Sequence, residues 1–416
     1  MIQDISLLRK VVRKAVETTT VTDIHTHLSP PSHGDMLLWG VDEVLTYHYL
    51  VAELFIVASR DLTYEKFFSL PRSVQADLVW EHLFLKRGAL SEATRGAITT
   101  FNRLGLDVAG RDLAGIRKWF AEQDVEEYLS KVFTLANIYY AVMTNSPFSA
   151  AQVELWNQSL PVPACLRTSL RIDMLFGDGW ERAAGVMAGA GYAVRTEPDE
   201  KTFDEVRRFL VDWSARLNPV YFAASIGPEF AYGDDSAFTR LVDRSVVPAA
   251  IEVGVPFALM IGARRAVNPN LRDAGAGVGV ADVTAINALL LKHPDAKFLV
   301  TMLSRNNQHE LTVLARKFRN LHLFGCWWFC NNPSIINEMT RQRLELLGTA
   351  FTCQHSDARV LDQLIYKWDH TRKIVADILV EKYSDLFEAG WRPAEEEIAR
   401  DARAIFGGSF EEFLNK

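Results

Sequence analysis

The chain has 416 residues, of which 49% are hydrophobic and 23% are charged. This composition indicates a globular protein with at least one full-sized core, and it excludes the disordered and fibrous classes. The 45 lysines and arginines against 52 acidic residues give a formal charge of −7, so no nucleic-acid partner is expected. The sequence lacks the apolar core of a signal peptide and any long apolar run, which predicts a cytoplasmic protein with no membrane partner.

The cysteines give no sign of a disulfide framework or a zinc finger. Cys326 and Cys330 form one CxxxC pair, while Cys165 and Cys353 lie far from them in the sequence. This spacing matches neither type of site, so we expect reduced thiols in the core.

Eight predicted strands set the fold class. The chain starts with an amphipathic helical pattern, and from about residue 133 onward short apolar runs alternate with segments of helical period. The predicted strands are 20–29, 132–145, 163–172, 219–227, 256–263, 297–304, 321–329 and 349–357; predicted helices include 202–217, 282–293, 309–318 and 336–348. Such an alternation favours an α/β fold, the (β/α)8 TIM barrel. An open doubly wound sheet is the alternative, but no glycine-rich phosphate loop follows the first strand.

Residues 35–131, between the first two predicted strands, are rich in helical segments and too long for an ordinary barrel loop. We therefore divide the chain into an N-terminal helix with strand 1 (1–34), a helical insertion (35–131), and the remainder of the barrel with extra C-terminal helices (132–416). The insertion begins where the active site of a barrel lies, so it can supply residues to that site. The helical tail after about residue 370 is expected to pack outside the barrel.

The strongest local motif is Asp23-Ile24-His25-Thr26-His27. Because residues i and i+2 of a strand point the same way, His25 and His27 can converge on one metal ion. An isolated pair of this kind is as often two satisfied polar groups at a strand end. The position at the carboxyl end of the first barrel strand favours the metal site.

Asp357, at the end of the last predicted strand, offers an anionic ligand. Barrel closure makes the last strand a neighbour of the first, which brings Asp357 towards His25 and His27. Taken alone, an aspartate before a helical segment is more often an N-cap. Together with the two histidines, it predicts a third metal ligand.

Several longer segments carry a resemblance to a known family. They are DIHTHLSP (23–30), LLWGVDEVLTYHYL (37–50), TNSPF (144–148), LMIGARRAVNPNLRDAGAGVG (259–279), LSRNNQHEL (303–311), FGCWWF (324–329), SDARV (356–360) and EEIARDARAIFGGSFEEFL (396–414). In this order they resemble the uronate (glucuronate) isomerases, a branch of the amidohydrolase superfamily. The combination of YHYL, WWF and SDxR is specific to that family, whereas HxH marks only the superfamily.

The resemblance implies reversible aldose–ketose isomerisation of a hexuronate, of the type D-glucuronate to D-fructuronate, with a divalent metal, commonly zinc. It implies metal on His25, His27 and Asp357, and proton donation or relay by His48 and Tyr49. The reaction moves a proton between C2 and C1 through an enediol, so it needs a base, an acid and stabilisation of negative charge. Asp357 is one candidate base.

The carboxylate of a sugar acid requires a guanidinium group for binding. Arg171, Arg305 and Arg359 follow predicted strands and are the candidates, with Arg359 also in the catalytic set. Each could equally pair with an acid on the surface. Trp327 and Trp328 are predicted on consecutive strand positions, so only one of them, assigned here to Trp328, can line the substrate pocket.

One position departs from the family pattern. Met260 stands where the family carries a histidine, and a thioether neither donates nor accepts a proton at neutral pH. This loss keeps open a barrel that binds a sugar acid without catalysis. The other alternative is a metal-dependent hydrolase of the amidohydrolase type, which does not need the His48-Tyr49 pair with Arg359. The expected partner in each case is a small molecule, and a homo-oligomer is compatible with the sequence.

Overall fold

The computed structural model describes all 416 residues and contains nine strands. The strands are β1 (Val21–Thr26), β2 (Ile138–Asn145), β3 (Leu166–Arg171), β4 (Phe222–Ile226), β5 (Phe257–Ile261), β6 (Ala263–Arg264), β7 (Gly277–Val278), β8 (Phe298–Met302) and β9 (Leu321–Leu323). Seven of them form one parallel sheet in the order β1-β2-β3-β4-β5-β8-β9, and β6 and β7 form a small antiparallel hairpin after β5. The large sheet curls into the predicted α/β (β/α)8 barrel.

An irregular segment closes the barrel between β9 and β1. Thr352 forms a single parallel bridge with Phe324, and further along the amide of Asp357 donates to the carbonyl of His25 at 3.1 Å. The amide of His27 in turn donates to the carbonyl of Ala358 at 2.8 Å. The prediction of a regular strand over 349–357 is therefore wrong, because the segment bends at Asp357, whose backbone is left-handed (φ 52°).

Nineteen α-helices surround and extend the barrel. They are α1 (Ile5–Thr18), α2 (Val41–Leu45), α3 (His48–Val57), α4 (Tyr64–Ser69), α5 (Arg72–Trp80), α6 (Glu92–Arg103), α7 (Leu113–Ala121), α8 (Val125–Ala136), α9 (Ala150–Asn157), α10 (Trp180–Gly189), α11 (Glu200–Leu217), α12 (Ala237–Leu241), α13 (Val247–Val253), α14 (Val283–Lys292), α15 (Gln308–Ala315), α16 (Pro333–Leu347), α17 (Gln363–Glu388), α18 (Glu395–Arg403) and α19 (Ser409–Leu414). Seven of these, α2 to α8, lie between β1 and β2. None of the helices is long and apolar enough to cross a membrane.

Two predicted strands are too long at one end. Residues 132–136 belong to α8, which ends at the left-handed Asn137, so β2 starts only at Ile138. The strand predicted over 321–329 ends at Leu323, and Trp328 lies in a short 3-10 helix. The expectation that Trp327 and Trp328 face opposite sides of a strand is therefore wrong, and both pack into the barrel interior.

Two hydrophobic clusters divide the core. The larger lies between the sheet and the helices, and a cluster of 15 buried residues fills the barrel, including Ile24, Tyr221 and Met260. Phe410 and Phe413 of α19 also belong to this inner cluster. The prediction that the C-terminal tail packs outside holds for α17 but is wrong for α19, which closes the barrel interior.

All four cysteines are free. Cys326, Cys330 and Cys353 are buried, and Cys165 is half-buried. Burial raises the pKa of each thiol, as expected for groups held in an apolar environment.

Candidate active site

The three predicted metal ligands come together at the carboxyl end of β1. Nε2 of His27 lies 3.2 Å and Nε2 of His25 lies 3.7 Å from Oδ1 of Asp357. One ligand atom from each residue lies within 4.8 Å of the other two. The irregular closing segment delivers Asp357 to the first strand, so closure of the barrel itself assembles the cluster.

The register of β1 is irregular at this point. Asp23 pairs with Ala141 and Thr26 with Met143, so three steps along β1 match two steps along β2. Such a bulge changes the direction of nearby side chains and is common beside active sites. The two histidines therefore approach one point on a bulged strand rather than on the regular strand of the prediction.

A hydroxyl group lies within hydrogen-bond distance of Nδ1 of each histidine, the ring nitrogen that does not face Asp357. The hydroxyl of Tyr221 lies 3.2 Å from Nδ1 of His25, and the hydroxyl of Thr144 lies 2.9 Å from Nδ1 of His27. The Tyr221 hydroxyl donates to the carbonyl of Ile24 at 2.6 Å, and the Thr144 hydroxyl donates to the carbonyl of Thr26 at 3.2 Å. The Tyr221 proton goes to Ile24, so Nδ1 of His25 carries the ring proton and Nε2 of His25 is left as an acceptor.

The charges of the cluster favour a bound cation. Burial lowers the pKa of His25 well below its ordinary value and also lowers the pKa of His27, so both rings are neutral. Burial alone would raise the pKa of Asp357, but the facing rings of His27 and His25 hold it below its usual range. Nε2 of His25 and Oδ1 of Asp357 are buried without a hydrogen-bond partner. Two neutral imidazole nitrogens and a carboxylate fit a divalent metal ion.

Two bulky residues of the site have a left-handed backbone. Asp357 has φ 52° and Trp328 has φ 45°. Residues other than glycine rarely adopt this conformation, and it costs about 1–3 kcal/mol. Strain of this kind concentrates at functional sites.

An aromatic layer contains three further predicted site residues. The ring centroids of His48 and Tyr49 are 4.5 Å apart, and those of His48 and Trp328 are 5.9 Å apart. Nε2 of His48, the hydroxyl of Tyr49 and Nε1 of Trp328 are all buried without a partner. Burial lowers the pKa of His48 to about 3 and raises the pKa of Tyr49, so both side chains are neutral and available to a ligand.

Two of the three predicted arginines lie at this end of the barrel. Arg171, at the end of β3, pairs with Asp173; that carboxylate, and more weakly Asp357, raises the pKa of the guanidinium. Nη1 of Arg359 lies 3.0 Å from Oδ2 of Asp273. Arg305 is 62% exposed and pairs with Glu338 on α16, so its contacts do not connect it to the cluster.

A third cation, Arg265, belongs to the site and was not among the predicted residues. Its guanidinium lies 5.4 Å from the ring centroid of Trp328, and Nη2 donates to Ser225 at 3.4 Å. Desolvation, followed by the nearby charge of Arg171, lowers its pKa. No carboxylate lies within ion-pair distance of it, so a negatively charged ligand can take that place. The motif GARR (262–265) contains it, but the sequence does not show which arginine of the pair faces the site.

The structure also places Lys367 and His355 near the cluster. Both are buried, and both ring nitrogens of His355 lack a partner. Burial lowers the pKa of Lys367 and that of His355, while the charge of Asp357 opposes both shifts. The ring centroid of His355 lies 5.2 Å from that of His25.

A cavity of about 510 Å³ opens between the helical insertion and the loop after β5. His48 and Arg359 line it, together with the charged residues Glu43, Arg72 and Arg272. The cavity thus brings solvent to two of the predicted site residues, His48 and Arg359, and it is large enough for a monosaccharide.

Comparisons with known proteins agree with this arrangement. No family model and no curated protein sequence matches the chain. Among solved structures, a uronate isomerase from Bacillus halodurans is 47% identical, with a TM-score of 0.97, covering 100% of this chain and 98% of that chain. A uronate isomerase from Thermotoga maritima (14% identity, TM-score 0.76, all of both chains) and a glucuronate isomerase from Caulobacter crescentus (16%, 0.76, 98% and 94%) share the fold.

The fold and the histidine–aspartate cluster define a (β/α)8-barrel enzyme with a candidate metal site at the carboxyl end of its strands. With 47% identity to a uronate isomerase over essentially the whole of both chains, this chain belongs to the uronate isomerase family.

Proposed function

We propose that the protein is a metal-dependent aldose–ketose isomerase of hexuronates, of the type D-glucuronate to D-fructuronate. One observation carries the proposal: a cluster of three converging acceptors, His25, His27 and Asp357, lies beside guanidinium groups of which Arg265 has no acidic partner. The first feature suits a divalent cation and the second suits the carboxylate of a sugar acid. The names of the similar solved structures support the same substrate class.

The reaction transfers a proton between C2 and C1 of the open-chain sugar and passes through an enediol. When bound, a divalent cation, with zinc the proposed metal, supplies electrostatic stabilisation of negative charge on the substrate oxygens. The residues proposed to hold it are His25, His27 and Asp357. We infer that their ordering by buried hydrogen bonds keeps the site ready for the substrate.

Asp357 is the proposed base for the proton on carbon. Both Nε2 atoms face its Oδ1, which leaves Oδ2 for a proton from the substrate. A carboxylate that stays ionised at neutral pH can accept this proton only transiently, which suits a shuttle between adjacent carbons.

His48 and Tyr49 are proposed to hold the sugar oxygens and to relay protons between them. The hydroxyl of Tyr49 keeps its proton and has no partner in the protein, so it can donate to a substrate oxygen. The neutral ring of His48 offers one donor and one acceptor. As the aldehyde at C1 becomes a hydroxyl and the hydroxyl at C2 becomes a ketone, a proton must move from the oxygen on C2 to the oxygen on C1. Together the two side chains can carry this proton.

The sugar carboxylate is proposed to bind Arg265, with help from Arg171 and Arg359. Arg265 is the only member of the three without an ion pair, and Trp328 holds its guanidinium over an aromatic face. A guanidinium group can donate two parallel hydrogen bonds to a carboxylate. The proposed partner is thus a small sugar acid.

The proposal is tested with metal-free protein prepared by chelation. D-Glucuronate and D-galacturonate are offered as substrates with and without added zinc, manganese or cobalt, and ketose formation and metal content are both measured. We expect no ketose without metal and restored turnover with it. Failure to form a ketose from any hexuronate, together with hydrolysis of a lactone or amide, would favour the hydrolase function instead.

The variant Asp357→Asn tests whether turnover takes place at the cluster of His25, His27 and Asp357. It should bind metal at least about 100-fold more weakly and lose turnover, because an anionic ligand and the proposed base are removed together. Asp385→Asn, an exposed change on α17, serves as the control. Wild-type turnover in Asp357→Asn would show that the reaction occurs elsewhere.

A further inference from the structure

We propose that Tyr221, a buried residue just before β4, is a positioning residue that holds His25 in the tautomer required for metal binding. The inference rests on the proposed function in one respect, which is that His25 binds a metal. Tyr221 does not touch the cavity or the proposed substrate contacts. It acts through His25 alone.

The hydroxyl of Tyr221 has a single proton to donate. The carbonyl of Ile24 can only accept, and it lies 2.6 Å from this hydroxyl, so it receives the proton. The lone pairs of the hydroxyl then face Nδ1 of His25 at 3.2 Å. A hydrogen bond forms there only if Nδ1 carries the ring proton.

A neutral imidazole with its proton on Nδ1 has a free lone pair on Nε2. That atom of His25 is buried, has no partner in the protein and faces Oδ1 of Asp357 at 3.7 Å. With the opposite tautomer, Nε2–H would point at this carboxylate and exclude a metal ion from the position. Tyr221 therefore disfavours the tautomer that competes with the metal.

Aromatic packing fixes the phenol ring. Tyr221 is fully buried, and its ring centroid is 6.5 Å from both Phe324 and Phe410. Phe410 belongs to α19, so the C-terminal helix supports the ring that orients His25. This contact gives the inward position of α19 a role in the site.

Thr144 repeats the arrangement at the second histidine. Its hydroxyl donates to the carbonyl of Thr26 at 3.2 Å and lies 2.9 Å from Nδ1 of His27. Each of the two imidazole ligands thus has a buried hydroxyl group against its Nδ1. A threonine-to-serine change keeps the hydroxyl, whereas a change to valine keeps only the shape.

The test compares Tyr221→Phe with Tyr140→Phe. Tyr140 lies in the same inner cluster, and its buried hydroxyl has no hydrogen-bond partner, so the control removes an equivalent group without touching a histidine. Zinc affinity is measured by competition with a chelator. We expect about 10- to 100-fold weaker binding in Tyr221→Phe and wild-type affinity in Tyr140→Phe. Thr144→Val should weaken binding and Thr144→Ser should restore it.

A second measurement needs no metal. Long-range ¹H–¹⁵N spectra of histidine-labelled, metal-free protein report which nitrogen of His25 carries the proton. Wild-type protein should show Nδ1–H, and Tyr221→Phe should show a shift towards Nε2–H. Unchanged zinc affinity with an unchanged tautomer in Tyr221→Phe would overturn the proposal. If wild-type protein binds no zinc, the metal part of the proposed function fails, and the spectra alone still decide the role of Tyr221.

Discussion

The carboxylate of Asp23 accepts a hydrogen bond from the indole N–H of Trp368 at 2.9 Å and another from the amide of Ser356 at 3.0 Å. Asp23 and Trp368 are fully buried. The first strand is thereby joined to the residue before Asp357 and to helix α17, which follows it. These contacts hold the two sides of the proposed metal cluster together without taking part in it.

We predict that Trp368→Phe destabilises the protein by about 1–3 kcal/mol, because a buried carboxylate loses a donor. Burial raises the pKa of Asp23 to about 6, and the hydrogen bonds from Ser356 and Trp368 oppose that rise. An acid with a raised pKa is neutral at low pH and costs stability as pH increases through its folded value. The loss in Trp368→Phe should therefore be larger at pH 8 than at pH 5.

Urea unfolding at the two pH values measures this loss. Trp391→Phe is the matched control, because Trp391 is 60% exposed. Equal free energies of unfolding for Trp368→Phe and wild type would contradict the assigned hydrogen bond.

The second prediction compares Arg265, which lies beside Trp328 in the structure, with Arg305, which was a candidate from the sequence alone. Arg265→Met should raise KM for D-glucuronate by at least about tenfold, since a charged hydrogen bond to a carboxylate contributes about 1.5–3 kcal/mol. Arg305→Met should leave KM unchanged, because Arg305 is exposed and paired with Glu338. Steady-state kinetics of the two variants decide between them, and a larger effect in Arg305→Met would reverse the assignment.

The sequence predicted much of the barrel because most of its strands are short apolar runs. Seven of the predicted strands contain an observed strand of the barrel, namely β1, β2, β3, β4, β5, β8 and β9. Errors arose where hydrophobicity continued beyond a strand, as in the Trp327-Trp328 pair, and where the closing segment bends at Asp357. Tertiary contacts, which a local pattern does not contain, determine both features.

The candidate site divides in a similar way. His25, His27 and Asp357 could be predicted because a strand pair and barrel closure bring distant residues together by simple geometry. Arg265 and Tyr221 could not, because the direction of a side chain from a loop or across the barrel interior depends on packing. Arg305 shows the converse, since a position after a strand end does not determine whether a long side chain turns towards the site or the surface.

The third prediction concerns the ion pair between Arg359 and Asp273. Asp273 lies in the loop after β5, is 77% exposed, and occupies Arg359 with a carboxylate, as a sugar acid would. We expect Asp273→Asn to lower KM for D-glucuronate by up to about fivefold, with little change in kcat, because exposed ion pairs contribute up to about 1 kcal/mol. Asp295→Asn, on an exposed loop, is the control. A higher KM in Asp273→Asn would mean that Asp273 positions Arg359 rather than competing for it.

The last prediction concerns stability in acid and a histidine remote from the cluster. His322 on β9 is buried, its Nε2 lies 2.9 Å from the hydroxyl of Thr352, and its ring stacks on Phe413 of α19. Burial, followed by the charges of Lys416 and Arg343, lowers its pKa to about 3. The unfolded chain binds a proton at this residue near pH 6.5, so the stability that the neutral ring contributes is complete above that pH and is lost as pH falls towards 3.

His322→Gln should therefore show a flatter dependence of unfolding free energy on pH between about 6.5 and 4, by up to about 1.4 kcal/mol per pH unit. The prediction concerns only the slope of unfolding free energy against pH. A lower stability of His322→Gln than of wild type at pH 8 does not contradict it. His309→Gln, an exposed change on α15, controls for the loss of one histidine from the chain. Chemical unfolding at intervals of half a pH unit gives the slopes, and parallel curves for His322→Gln and wild type would show that His322 takes up its proton in the folded state as readily as in the unfolded chain.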